Sequence, residues 1–86
     1  MFLTYKGATT ELVSVSNGDY VKVYEVPKDY SEDGLYIAVW LHGDREPMPA
    51  CAGKDARLLA SVIISADNEG ALTAHGSISE EVEIHA

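Results

Sequence analysis

Asp55-Ala56-Arg57-Leu58-Leu59-Ala60-Ser61-Val62-Ile63-Ile64-Ser65-Ala66 is the stretch whose reading decides the fold. Leu58, Leu59, Val62 and Ile63 recur at the spacing of one helical face, and Asp55 stands where a cap would accept a free backbone N–H. Against a helix stand the β-branched run Val62-Ile63-Ile64 and the acids Asp67 and Glu69, which would lie at its negative end. The rival reading is a strand that ends in a turn from Asp67 to Gly70. Length and the helix-favouring opening from Lys54 to Ala60 tip the reading to a helix over Asp55 to Ala66.

Upstream, the chain alternates as strands do. Met1 to Lys6 reads as a short strand. Thr10 to Ser16 and Tyr20 to Val26 flank Asn17-Gly18, a pair that accepts the positive φ angles of a two-residue hairpin turn. That hairpin would set Val15 opposite Tyr20, Val13 opposite Lys22 and Leu12 opposite Val23. Pro27 to Gly34 is a polar loop. Leu35 to Leu41 is apolar on both faces, which predicts a central strand covered on both sides. Pro47 and Pro49 place a loop over His42 to Gly53.

Downstream, Ala71 to Ser79 predicts another strand. Glu80 to His85 alternates Val82 and Ile84 with Glu81, Glu83 and His85, the pattern of a charged edge. The sum is an α+β fold in one domain, residues 1–86: an antiparallel sheet of four to five strands with one helix packed on its aliphatic side.

Fourteen Asp and Glu against six Lys and Arg give a formal net charge of −8, and no Lys or Arg follows Arg57. Such a field repels phosphate backbones and anionic membranes and favours basic partners, so direct nucleic-acid binding is not expected. The lone Cys51 cannot close an internal disulfide, which fits a reducing, cytoplasmic setting. No apolar run reaches the length of a membrane span, and the polar N-terminus does not read as a signal peptide.

Chemistry has little to work with. His42, His75, His85 and Cys51 lack the close spacing of zinc ligands. Cys51 has Lys54 and Arg57 nearby but no paired base in sequence, and the adjacent acids Glu32-Asp33 and Glu80-Glu81 lack the contrasting surroundings of catalytic pairs. The glycines form no phosphate-binding loop. No catalytic residue, metal or cofactor is expected.

Two features point to a partner instead. Glu32, Asp33, Glu80, Glu81 and Glu83 offer an acidic surface, while Tyr20, Tyr24, Tyr36 and Trp40 alternate along two strands and would line one sheet face if those strands are neighbours. The predicted role is a protein-binding inhibitor or decoy for a basic, nucleic-acid-binding surface of a larger partner. In size, acidity and want of an enzyme motif the chain resembles phage-encoded antagonists of host defence, the anti-CRISPR and antirestriction proteins. The alternative expectation is a homo-oligomeric structural or accessory module, such as a homodimer.

Overall fold

The computed structural model describes residues 1–86 and contains strands and turns but no helix. Seven strands run β1 Phe2–Tyr5, β2 Ala8–Glu11, β3 Asp19–Glu25, β4 Leu35–Leu41, β5 Arg57–Ala66, β6 Leu72–Ile78 and β7 Val82–His85. They form two antiparallel sheets, three-stranded β2-β1-β7 and four-stranded β4-β3-β5-β6. The fold is therefore all-β, and the α+β expectation is wrong.

The error lies in residues 55–66, which supply β5 rather than a helix. Ala60, Val62 and Ile64 are buried on one face, as strand periodicity requires. The helix-like spacing comes from a bulge. Tyr24 pairs with Leu58 and Val23 with Ala60, so Leu59 is an extra residue that shifts the alternation by one. Buried Leu59 beside buried Ala60 breaks the period of two and imitates a helical face. The β-branched run then does what β-branched residues do best, packing on a pleated surface.

The expected Asn17-Gly18 hairpin is also absent. Both edges of β3 are taken, one by β4 and the other by β5, and only Ala8–Glu11 of the upstream segment forms a strand, paired with β1. The tight turn sits one strand earlier, at Lys6-Gly7, where φ is +50° and +80° and Tyr5 pairs with Ala8. Asn17-Gly18 instead ties the segment after β2 to β5. The Asn17 side-chain oxygen accepts from the Ala66 N–H at 2.9 Å, and the Gly18 N–H donates to the Ile64 carbonyl at 2.8 Å. Buried Asp19 closes the same corner by accepting the Ser16 N–H at 2.8 Å.

A second sheet, not a helix, covers the aliphatic side. Leu3, Tyr5 and Val82 of the three-stranded sheet share one buried cluster with Val21, Val23, Leu35, Ala60, Val62 and Ile64 of the other, and Leu12 plugs its margin. Leu3, Val21, Val23 and Ile64 are at most 1 % exposed, each contributing about 1.5–3 kcal/mol of apolar burial. Leu35–Leu41 has the predicted bounds but lies at an edge, with β3 and β5 as the interior strands. Its two-sided apolarity arises because Leu35, Ile37 and Val39 feed the core while Ala38 is buried on the opposite face; Leu41 is exposed. At Gly76 the backbone of β6 comes so close to β5 that a Cβ would stand 2.3 Å from the Ser61 carbonyl oxygen.

Candidate interaction surface

In an antiparallel pair, residues opposite one another share a face. Pairing Tyr20 with Trp40 and Tyr24 with Tyr36 puts all four predicted aromatic residues on the face turned away from the three-stranded sheet. Tyr20 and Trp40 stack at 5.7 Å between ring centroids, and His42 adds a third ring 5.6 Å from Tyr20. At the other end Tyr24, Tyr36 and Tyr30 meet at 6.2 and 6.3 Å.

This face is only partly open. Tyr24 and Ala38 are buried although they lie opposite the core. The 42–56 connection is fastened across that middle zone by the Lys22–Glu46 ion pair and by the Ala50 N–H, which donates to the Tyr30 hydroxyl at 3.0 Å. Tyr24 is thus a packing residue, while Tyr20, Tyr36 and Trp40 keep part of their rings at the surface.

Several of the acidic residues meet Lys6, Lys28 and Arg57 at one end. A cavity of about 610 Å³ opens beside the Lys6-Gly7 turn, lined by Tyr5, Glu25, Glu32, Asp33, Asp55, Lys6 and Lys28 among others. Arg57 links this cavity to the start of β7: its guanidinium donates in fork fashion to both Glu81 oxygens at 2.8 Å and reaches Glu25 at 3.2 Å. Glu32-Asp33 and Glu80-Glu81, far apart in sequence, therefore flank one charged end.

Within it the acids play different parts. Glu25 accepts a hydrogen bond from the Tyr5 hydroxyl, which, with Arg57 and Lys6, holds its carboxyl below the usual range. The same bond and burial push the Tyr5 phenol up. Arg57 holds Glu81 below the carboxylate range. Asp33 is lowered by the Ser31 hydroxyl and the Leu35 N–H, so it shapes its own turn. Glu32, Glu80 and Glu83 are exposed and engage no cation within the chain.

Sequence reasoning missed Asp55 and Arg57 as members of this end, since only the register of β3 against β5 places Arg57 opposite Glu25. The histidines stay separate: His42 lies against Tyr20, His75 bonds Thr73 at 2.8 Å, and His85 stacks on Phe2. No three His, Cys, Asp or Glu side chains converge as a metal-ligand set. No helix is long and apolar enough to cross a membrane. No family model, curated protein or solved structure matches the chain.

Proposed function

We propose that this chain is a non-enzymatic binding protein, an inhibitor or decoy that occupies a basic, nucleic-acid-binding surface on a larger partner. The observation that carries the reading is a net charge of −8 on a body where exposed Glu32, Glu80 and Glu83 engage no cation within the chain. Carboxylates held along a rigid rim can take the place of phosphates against lysines and arginines. The partly open rings of Tyr20, Tyr36 and Trp40 supply apolar contact area, the usual energetic centre of such interfaces. The single cysteine supports a reducing, cytoplasmic setting, and the class of phage-encoded anti-defence proteins is the one this reading favours.

Immobilised protein exposed to lysate of its source cells at about 50 and about 500 mM salt tests the reading. The expected result is a basic nucleic-acid-binding protein held at low salt, released at high salt and displaced by added DNA. Glu32→Lys, Glu80→Lys and Glu83→Lys, combined in one chain, would abolish capture while sparing the Arg57–Glu81 fork. Capture that survives this charge reversal, or that DNA does not disturb, overturns the proposal.

A further inference from the structure

We infer that the open edge of β4 pairs antiparallel with β4 of a second copy of this chain, joining two four-stranded sheets into one about a two-fold axis at Ala38. The inference does not rest on the proposed inhibitor role, although Tyr36 and Trp40 figure in both.

The two sheets leave four edges: β2, β7, β4 and β6. β2 and β7 are four residues each and carry Glu11, Glu83 and His85. β6 is distorted at Gly76, where φ is +150°. β4 runs seven residues, Leu-Tyr-Ile-Ala-Val-Trp-Leu, with no charge, proline or bulge. Natural edges are normally guarded by one of these devices. A molecule of net charge −8 meets its own kind with least repulsion at such an uncharged edge.

The hydrogen bonds select both partner and register. The Val26 N–H donates to the Gly34 carbonyl at 2.8 Å, so the bonded pairs along β3–β4 are those of Tyr36, Ala38 and Trp40. The odd residues of β4 therefore turn their N–H and C=O groups to the open edge. Two of those groups are already satisfied: the Leu35 N–H by Asp33 Oδ1 at 3.0 Å, and the Leu41 carbonyl by the Asp44 N–H at 3.0 Å.

With Ala38 on the two-fold axis, Leu35 faces Leu41 of the second copy. The two satisfied groups are then each other's would-be partners, and neither is left wanting. The Leu41 N–H meets the Leu35 carbonyl, and Ile37 and Val39 exchange both their bonds. Every free polar group of the edge finds a mate. Side chains match as well: Ile37 lies beside Val39, and Tyr36 beside Trp40 in a non-bonded pair, where side chains approach most closely.

Sedimentation equilibrium in about 0.5 M salt, which screens the like charges, reads the mass from about 1 to 500 µM protein. The monomer mass is 9.3 kDa, and the expected result is a shift to twice that value. Val39→Pro deletes an outward N–H that β3 does not use, and should raise the dimer dissociation constant at least about tenfold through two symmetric lost bonds. A cysteine test does not depend on that variant folding. In a Cys51→Ser background, Tyr36→Cys and Trp40→Cys chains mixed in equal amounts should form the mixed disulfide far faster than either forms its own. A chain monomeric throughout the range, or self-linking of either cysteine variant as fast as the mixture, overturns the inference.

Discussion

Replacing Gly76 by alanine tests how tightly β6 is laid against β5. The added Cβ would stand 2.3 Å from the Ser61 carbonyl oxygen and 3.0 Å from the Val62 Cα, both of them backbone atoms. Ordinary contact begins near 3.5 Å, so the strands must part by about 1 Å. β5 is held on both sides by β3 and β6 and cannot retreat, so β6 must peel away. The clash costs about 1–3 kcal/mol as overpacking, and a φ of +150° for a residue with a side chain adds about 1–3 kcal/mol more. A chain of this size holds only about 4–13 kcal/mol in total.

Gly7→Ala serves as the control. Its φ is +80°, but nothing lies within 4 Å of the added Cβ, so it carries only the backbone cost of about 1 kcal/mol. Thermal unfolding followed by far-UV circular dichroism should place the Gly76→Ala midpoint at least about 5 °C below that of Gly7→Ala. Equal midpoints for the two variants would refute the close approach of β6 to β5.

Ile64→Ala empties a 1 %-exposed site between the sheets and should cost about 2–5 kcal/mol in urea unfolding. Ile78→Ala, at the partly exposed end of β6, should cost less than about 1 kcal/mol in the same assay. Acid should weaken the fold through Glu25 and Glu81. Both carboxyls are depressed in the folded chain, so the unfolded chain binds more protons, and stability present above the ordinary range near pH 4 is lost as pH falls through the depressed values. Arg57→Gln should flatten that acid limb of a stability-versus-pH curve while leaving the curve's shape above pH 6 or so unchanged. An unaltered acid limb would remove the Arg57 network from the stability of the fold.

The positions of β1, β3, β4, β6 and β7 were legible in the alternation of the sequence. Leu35–Leu41 emerges from the sequence with its observed bounds, and the last strand reads correctly as an edge carrying acids. The β5 error has a local cause. One bulge residue, Leu59, reset the alternation, and periodicity has no means of telling a phase slip from a change of period. The Asn17-Gly18 error is of another kind. Asn and Gly allow a tight turn without requiring one, and competition from β4 and β5 for both edges of β3 is long-range. The aromatic grouping was readable from alternation given adjacent strands, whereas the cover over Tyr24 was not, because it depends on a loop crossing the sheet. The charged end needed the register of β3 with β5, which no local pattern encodes.

The pairing of β1 with β7 sets Phe2 beside His85, so opposite ends of the sequence are neighbours in the three-stranded sheet. Leu3 and Tyr5 gain their β7 neighbour only once residues 82–85 arrive, and contacts of such wide separation slow folding because loop closure comes before any reward. A short tether from Ala86 to Met1, with new ends opened in the exposed Asn68-Glu69 turn, would recast that pairing as a local hairpin. Such a permuted chain would reach the same two sheets by a quicker route, with the closing step of assembly moved to the start.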